Sequence, residues 1–336
     1  MRAPSIWVLT GAKTGDNAQV LRAANAMGLD YSVKKIAVSL EFETAKPRVE
    51  ASLHHIDIAT SDRLAAPWPD LVITIGRRLS LVALWIKRQS AGGTRIALFN
   101  APKGEAKAFD LLVVPAYYKT ADGPRVCRIG LPLIAVDEAR IEAARAAFAD
   151  SLGQMNKPLH VLLLGGDMGK GKLDPRFAGD IVTRMRQSHA ATGSIFVSTS
   201  RRTPPAVADA IAPQLTPSDR LFRWSAHAAE NPYLGLLAHG DSFTITADSL
   251  SMLTEVARLG KPLAIAEAPG AGGLMDRLRK LSGMTGARDL NAAANYLYEG
   301  GYAARLGEPL RQPVAPPPDD TEKVAGRLKQ LVLRDG

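Results

Sequence analysis

The sequence has very little cysteine and few aromatic residues. Cys127 is the single cysteine in 336 residues, which excludes an intrachain disulfide and a multi-cysteine metal site and fits a reducing compartment. The six histidines include the pair His54-His55, but this pair has no H-x-x-x-H partner that would suggest zinc binding. The hydrolase motif G-x-S-x-G is also absent. We therefore expect neither a bound metal nor a tightly bound cofactor.

Long apolar runs are missing as well. Stretches such as "LVITIGRRLSLVALWIKR" are broken by charges and fall short of the roughly 20 apolar residues of a membrane span. The beginning, "MRAPSIWVLTGAKTGD", has an apolar run too short for a signal-peptide core. With 46% hydrophobic residues the chain can still bury a large core, and its length favours two domains.

The chain is basic, with a net charge of +9 from 42 Lys and Arg against 33 Asp and Glu. Such a charge favours anionic partners, namely nucleotides, phospholipid surfaces or nucleic acid. The basic residues are scattered and aromatics make up only 6%, so the stacking surface of a single-strand nucleic-acid binder is not indicated. We expect a cytoplasmic protein, with peripheral contact at the inner face of an anionic membrane as a further hypothesis.

Short apolar runs alternate with helical segments in both halves of the chain, which is a βα pattern. The first half has strand candidates at residues 5–10, 31–38, 71–76, 95–99 and 111–114. Helical stretches lie between some of them, at residues 17–27 and 79–90. A hinge is expected within "CRIGLPLIAVDE", ahead of the alanine-rich helix "EARIEAARAAFADSL". The second series contains "HVLLLGG", "SIFVSTS", "RLFRW", "SFTIT" and "PLAIAE".

These patterns predict an α/β protein with two similar domains, residues 1–134 and 135–312. After the proline-rich "PVAPPPDD", the amphipathic "TEKVAGRLKQLVLR" begins near a cap at Thr321. We expect this last helix, within residues 319–336, to pack back on the first domain.

The segment "TITADSLSMLTEVARLGKPLAI", residues 244–265, reads as strand, helix and strand. One sector of the helix is apolar, and the opposite side carries Ser251, Thr254, Glu255 and Arg258. Asp248 is predicted as the N-cap. The free N–H groups of the helix start favour a phosphate, and Glu255 could then accept hydrogen bonds from an adjoining ribose. The alternative is an ordinary capped helix with a solvated face.

A glycine turn follows the first strand in "GAKTGDNAQV", residues 11–20. Its N–H groups can approach a ligand closely, and charge and hydrogen bonds come from Lys13, Asp16, Asn17 and Gln19. The turn lacks the dinucleotide pattern G-x-G-x-x-G. Asp16 could instead be the N-cap of the next helix, which would leave the other three polar residues without a reason to cluster.

The second half contains two further candidate loops. In "GGDMGKGKL", Gly166 and Gly171-Lys172 nearly match a Walker loop, but Leu173 replaces the Ser or Thr that holds magnesium, so a glycine-rich loop near a diphosphate is favoured. The stretch "STSRRTPP" gathers hydroxyls and paired guanidinium donors that suit phosphate, namely Ser200, Arg201, Arg202 and Thr203. Alternatively, Thr203 caps the following helix.

Other polar residues follow strands or form turns. "ENPY" places Asn231 in a rigid turn, with Tyr233 expected in the core. "TIGRRLSL" and "FNAPKG" put further polar residues at strand ends of the first half, namely Arg77, Arg78, Asn100 and Lys103. If the two halves face each other, these groups lie across a cleft from the loops of the second half. Taken singly, each could equally be ordinary surface polarity.

Four of these stretches, "GAKTGDNAQ", "TSRRTP", "ENPY" and "TADSLSMLTEV", together resemble the mitochondrial fission ELM-type family, in order from residue 11 to 256. The sequence departs from related glycosyltransferase motifs at Val256, where a small alanine is common, and in the loop 165–173. The family is similar to GT-B glycosyltransferases. The resemblance thus implies a GT-B-like α/β fold of two Rossmann-like domains facing each other across a cleft.

The resemblance also implies a nucleotide-sugar donor on the C-terminal domain and an acceptor on the N-terminal domain. Gly166, Ser200, Arg201 and the helix start at Ser249 and Ser251 would meet the donor diphosphate, and Glu255 would bind the ribose. We group Arg202, Thr203, Asn231 and Asp248 with these donor residues. The acceptor side would comprise Lys13, Asn17, Gln19, Arg77 and Asn100, with Asp16 as general base.

Two functions follow from these expectations. The first is a metal-independent glycosyltransferase that moves a sugar from a nucleoside-diphosphate donor to an envelope or lipid-linked acceptor. The second is a non-catalytic scaffold that binds a nucleotide or lipid and is related to mitochondrial fission factors. Fold alone does not decide between them.

Overall fold

The computed structural model describes residues 2–45, 47–102, 106–118, 120–167, 173–227, 230–268 and 290–333. They form two compact units. The first runs to Ala135 and includes the C-terminal residues from Pro318, and the second begins at Val136 and reaches Pro317. The boundary near residue 135 lies one residue beyond the expected end of the first domain.

The first unit contains a six-stranded parallel sheet in the order β2-β1-β3-β4-β5-β6. Its strands are Ile6–Thr10, Ser32–Lys35, Leu71–Ile75, Arg95–Phe99, Leu111–Pro115 and Val126–Ile129, numbered β1 to β6. The inner strands read as continuous apolar runs because helices cover both faces of the sheet.

The expected hinge at 127–138 is wrong in its first part. Cys127 pairs with Val113 in the ladder between β5 and β6. Cys127 and Ile129 are buried in the core, so this segment is an edge strand whose alternate residues pack inward.

The helices of the first unit are α1 to α3 and a C-terminal helix, with bounds Thr14–Ala26, Glu41–Thr44, Gly76–Gln89 and Thr321–Val332. One core contains Val20 of α1 together with Val324 and Leu328 of the C-terminal helix. A second core contains residues of α3, among them Val82 and Ile86. The C-terminal helix therefore packs beside α1 on the first sheet.

The second unit contains a parallel sheet in the order β12-β11-β10-β7-β8-β9. Its strands β7 to β12 are Leu159–Leu163, Ser194–Ser198, Arg220–Phe222, Ser242–Thr246, Leu263–Ala266 and Ala304–Arg305. Its helices α4 to α8 are Glu138–Ala147, Pro175–Ser188, Pro205–Ile211, Tyr233–His239 and Leu250–Arg258, and a further helix spans Leu290–Glu299. The last strand and this further helix were not expected from the sequence.

The second sheet places three loops side by side. Strand β7 lies between β10 and β8, so the chain order reverses at β7. Ligands of open α/β sheets bind outside the carboxyl ends of the strands at such a reversal. The loops after β7, β8 and β10 therefore build the candidate site.

Across the part of the chain that the structure describes, no helix is both long enough and apolar enough to span a membrane.

Candidate functional site

The described part of the loop after β7 contains Gly165 and Gly166, whose N–H groups are both held by side chains from the end of β10. Gly165 donates to Thr246 Oγ1 at 2.8 Å, and Gly166 donates to Asp248 Oδ2 at 2.9 Å. A Cβ at Gly165 would overlap the Asp248 carboxylate and Ser249, and one at Gly166 would lie 2.8 Å from Arg202 Cβ. Only glycine permits this close approach at either position.

Asp248 is not the N-cap of α8, as the sequence suggested. The helix begins at Leu250, with Ser249 as N-cap and no side-chain capping bond. The Asp248 side chain is 3% exposed and forms an ion pair with Arg202 Nη1 at 2.6 Å. Its other oxygen accepts a hydrogen bond from Thr246 Oγ1 at 2.8 Å. The carboxylate turns toward the loops after β7 and β8 because these donors stabilise a buried charge better than the helix end alone.

The loop after β8 is locked by its own hydroxyls. Thr203 Oγ1 accepts from the Ser200 N–H at 2.9 Å and donates to the Gly165 carbonyl at 2.6 Å. Ser200 Oγ also reaches the Gly165 carbonyl, at 3.2 Å. The alternative in which Thr203 caps α6 is wrong, since Pro204 is the N-cap of that helix. These bonds tie the loops after β7 and β8 together.

The two adjacent arginines differ in their contacts. Arg202 Nη2 donates to Ser249 Oγ at 3.2 Å in addition to its ion pair with Asp248. Arg201 is exposed, and among the described residues it has no hydrogen bond or ion pair. Ser251, in the first turn of α8, is exposed as well. Arg202 therefore joins the loops after β8 and β10, while Arg201 extends toward solvent.

Glu255 is half-buried and accepts a hydrogen bond from the Tyr233 hydroxyl. Burial raises the pKa of Glu255, and the bond from Tyr233 only partly opposes this effect. Burial and the neighbouring Glu255 charge both raise the pKa of Tyr233 well above its ordinary value. The expected solvated face of α8 is wrong at Thr254, which is buried and donates to the Leu250 carbonyl.

Two further residues of interest lie in loops of the second unit, Asn231 before α7 and Trp224 after β9. Asn231 Oδ1 accepts from the Tyr233 N–H at 3.0 Å, so it organises the start of α7. Trp224, which the sequence reasoning missed, follows β9 and is 36% exposed, with its backbone N–H held by Thr199 Oγ1 at 2.7 Å. The sequence feature that could have singled out Trp224 is its place two residues after a strand in a chain with only 6% aromatics.

In the first unit, the turn after β1 and the start of α1 carry Lys13, Asp16, Asn17 and Gln19. Asn17 donates to the Gly11 carbonyl at 2.7 Å and accepts from the Gly11 N–H at 2.9 Å, so it closes the turn. Gln19 is buried and reaches the Gly15 carbonyl at 3.3 Å. Lys13, rather than Asp16, is the N-cap of α1, and the two side chains lie 4.0 Å apart.

Arg77 and Asn100 lie at other strand ends of the first unit. The Arg77 guanidinium donates to the Pro47 carbonyl. Asn100 has a positive φ of 73°, which asparagine tolerates better than most residues, and its N–H donates to the Val113 carbonyl at 2.9 Å. Both residues thus have local structural contacts. Lys103 and the near-Walker pair Gly171-Lys172 lie outside the described residues.

The family is settled by sequence comparison. A family model described as "Mitochondrial fission ELM1" matches residues 14–332. The chain belongs to this family. It is 24% identical over 297 residues to the mitochondrial fission protein ELM1 of Arabidopsis thaliana, covering 80% of this chain but only 65% of that protein. It is also 24% identical to an uncharacterized protein of Rickettsia prowazekii (strain Madrid E), covering 89% and 94% of the two chains.

Solved structures establish the fold. A Staphylococcus aureus MnaA structure with UDP matches with a TM-score of 0.53 at 11% identity, covering 98% of this chain and 97% of that one. A UDP-GlcNAc 2-epimerase from Methanocaldococcus jannaschii matches with a TM-score of 0.52 at 10% identity, covering 97% and 99%. The ELM1-family chain therefore has a GT-B-like fold, which confirms the α/β, GT-B-like fold class expected from the sequence. At these identities the likeness extends to the fold alone.

Proposed function

We propose that this ELM1-family protein is a glycosyltransferase that binds a nucleoside-diphosphate sugar on its C-terminal unit. The observation that carries the proposal is the meeting of Gly166, Arg202 and the start of α8 at the reversal point of the second sheet. Closely approachable backbone, guanidinium groups and a helix N-terminus are the elements that proteins use to hold phosphates.

Six of the candidate donor residues contact the donor in this proposal. Arg201 and Arg202, with Ser200, the Ser249 hydroxyl and the Ser251 amide, stabilise the leaving diphosphate as negative charge develops on it, without a bound metal. Glu255 accepts hydrogen bonds from the ribose. The donor is a substrate that is consumed, not a resident cofactor.

The acceptor is assigned to the N-terminal unit. Asp16, in the first turn of α1, is the proposed general base that takes a proton from the acceptor hydroxyl. Lys13 is exposed beside it and suits an anionic acceptor. An envelope or lipid-linked acceptor fits the net charge of +9, because basic proteins are attracted to anionic membrane surfaces.

The solved structures indicate which donor to test first. One of them is a complex of S. aureus MnaA with UDP, and another is a Neisseria meningitidis UDP-GlcNAc 2-epimerase with bound UDP-GlcNAc, at a TM-score of 0.50. Both share the fold of this chain. UDP sugars are therefore the first donors to test, followed by GDP, CDP and ADP sugars.

The second candidate function is a non-catalytic scaffold that binds a nucleotide or lipid. It is favoured by the family description, which refers to mitochondrial fission rather than to a reaction. The local contacts of Arg77, Asn17 and Asn100 also account for these residues without any acceptor.

Turnover separates the two functions. The full chain is incubated with each nucleotide sugar and a cell-envelope lipid extract, and release of nucleoside diphosphate is followed over many equivalents. The glycosyltransferase predicts sustained release that needs the extract. A protein that binds the nucleotide but releases no diphosphate with any extract supports the scaffold.

Membrane contact is tested by vesicle flotation. Each Lys or Arg near an anionic surface contributes about 1 kcal/mol, and salt screens this attraction. We expect more protein on anionic than on neutral vesicles at low salt, with the difference lost at high salt. Equal recovery from both vesicle types would remove the electrostatic basis for a membrane-bound acceptor.

A further inference from the structure

The Asp248 carboxylate accepts from the same groups that this site would use to bind a phosphate. Asp248 accepts from the Gly166 N–H at 2.9 Å and pairs with Arg202 at 2.6 Å. A third donor, the Thr246 hydroxyl, lies 2.8 Å from its other oxygen. The side chain is 3% exposed, so these three groups supply its solvation.

The two partners of this ion pair are held very differently. Asp248 is buried and fixed on two sides, by the Gly166 amide and the Thr246 hydroxyl. Arg202 has a side chain that is 52% exposed, and its second contact is a neutral hydroxyl, Ser249 Oγ at 3.2 Å. If the pair opens, the arginine moves toward solvent while the aspartate stays in place with two of its donors.

The negative charge of Asp248 is not needed to hold the loops. An asparagine at this position could accept from the Gly166 N–H through its oxygen and donate to Thr246 Oγ1 through its amide nitrogen, because a hydroxyl can donate or accept. Arg202 Nη1 approaches the same oxygen, Oδ2, that accepts from the Gly166 N–H, and of these contacts the ion pair is the one that depends on the negative charge. The charge therefore has one partner, and that partner is a phosphate-binding residue of the proposed function.

We propose that Asp248 is an internal counter-anion that holds Arg202 before the donor binds and yields it to the diphosphate of the donor. The inference rests on the proposed function and names the residue that sets the affinity of its phosphate site. Diphosphate binding exchanges one anion for another on the same guanidinium. Asp248 thus weakens the binding of both donor and released diphosphate, because its charge remains beside them when Arg202 moves.

The test is the affinity of Asp248→Asn for UDP and for inorganic pyrophosphate, measured by calorimetry on the full chain. We expect both ligands to bind about tenfold more tightly than to the parent, a difference of about 1.4 kcal/mol. Arg202→Ala should weaken binding more in the Asp248→Asn background than in the parent, since the arginine is then no longer shared. Asp209→Asn, which breaks the exposed pair with Arg223, is the matched control and should leave both affinities unchanged.

A second measurement needs no variant at Asp248. The side-chain carboxyl 13C signal of Asp248 should shift when the parent protein is saturated with UDP, and it should not shift in Arg202→Ala. An unchanged signal in the saturated parent would show that the ion pair survives binding and would overturn the inference.

The outcomes separate this inference from the proposed function. If the parent binds UDP and Asp248→Asn binds it equally or more weakly, the inference is wrong and nucleotide binding stands. If neither protein binds any nucleoside diphosphate or pyrophosphate, the proposed function is wrong and the inference falls with it.

Discussion

The Tyr233 hydroxyl donates a hydrogen bond to Glu255 Oε2 and so joins the start of α7 to α8. The sequence places these residues in separate motifs, "ENPY" and "TADSLSMLTEV". Their contact orients the carboxylate proposed to bind the ribose before any nucleotide is present. Pre-orientation of this kind favours binding, because less side-chain freedom is lost when the ligand arrives.

Substitutions at this pair should separate charge from orientation. Glu255→Gln keeps the size and one acceptor but loses the charge, so nucleotide affinity should fall by about 1.5–3 kcal/mol. Tyr233→Phe keeps the charge and removes the orienting bond, so the loss should be about 0.5–1.5 kcal/mol. Calorimetric titration of both variants checks this order. A larger loss in Tyr233→Phe than in Glu255→Gln would contradict the assigned roles.

The raised pKa of Glu255 gives the pair a pH signature in stability. Burial makes the folded protein hold this proton more tightly than the unfolded chain does, where the pKa is about 4.5. The stabilising contribution of the protonated form is therefore complete below that value and is lost as pH rises through the folded pKa. Glu255→Gln should gain stability relative to the parent as pH rises, which urea unfolding at a series of pH values will measure. A constant difference would argue against a raised pKa.

Gly166→Ala should disrupt the candidate phosphate loop. Its Cβ would lie 2.8 Å from Arg202 Cβ, and overpacking of this kind costs about 1–3 kcal/mol of folding stability. The displaced arginine should also weaken nucleotide binding. Gly326→Ala is the matched control, because nothing lies within 4 Å of its Cβ in the C-terminal helix and it should stabilise by roughly 0.5–1 kcal/mol. Thermal melts and calorimetric titration compare the stability and the nucleotide affinity of the two variants. Unchanged stability and affinity in Gly166→Ala would refute the close approach of Gly166 to Arg202.

A buried ion pair, Asp219 with Arg186 at 2.6 Å, should dominate the acid stability of the second unit. Burial alone would raise the pKa of Asp219, but the N–H groups of Ile195 and Thr216 and the Arg186 guanidinium outweigh it and lower that pKa. This stabilisation is present above the unfolded pKa of about 3.9 and is lost as pH falls through the folded pKa.

Asp219→Ala should therefore cost about 3–5 kcal/mol at neutral pH, since it removes the ion-pair partner of the half-buried Arg186 and the acceptor of the Ile195 and Thr216 N–H groups. The loss should shrink in acid. Asp209→Ala, at the exposed pair with Arg223, should cost at most about 1 kcal/mol. Chemical unfolding at neutral and acid pH tests both. An equal loss of stability in the two variants would mean that the pair of Asp219 with Arg186 stabilises the fold no more than the exposed pair does.

The C-terminal helix should be required for a stable first unit. Leu328 is fully buried beside residues of α1, so Leu328→Ala should cost about 2–5 kcal/mol. Leu333 is exposed, and its replacement by alanine should change stability by less than about 0.5 kcal/mol. In Leu328→Ala, the amides of β1 and α1 should lose protection from hydrogen exchange, while those of β7 and β10 should stay protected. A loss spread equally over both sheets would contradict this.

The sequence predicted the βα order and most of the strands because buried parallel strands are continuous apolar runs between helices. It missed Ala304–Arg305, a strand of two residues with no apolar run of its own, which forms by pairing Ala264 with Ala304. Cys127 to Ile129 was assigned to a hinge because the nearby Gly130 and Pro132 suggested a break.

Single residues of the site were predicted less well than its loops. The pattern around Asp248 correctly indicated a helix start, but a local capping rule cannot anticipate donors that come from Gly166 and Arg202, which are distant in sequence. The alternative of a solvated Glu255 is wrong for the same reason, since its partner Tyr233 lies on another helix. Side-chain partners between loops depend on packing that one-dimensional patterns do not contain.

The most direct test of the central claim is calorimetric titration of the full chain with UDP, GDP, CDP and ADP sugars, with Arg202→Ala alongside. We predict that at least one donor binds with a dissociation constant below about 1 mM, or about −4.1 kcal/mol, and binds at least tenfold more weakly to Arg202→Ala. The absence of binding by all four classes at millimolar concentration, or binding that Arg202→Ala leaves unchanged, would contradict a nucleotide-sugar site at this sheet edge.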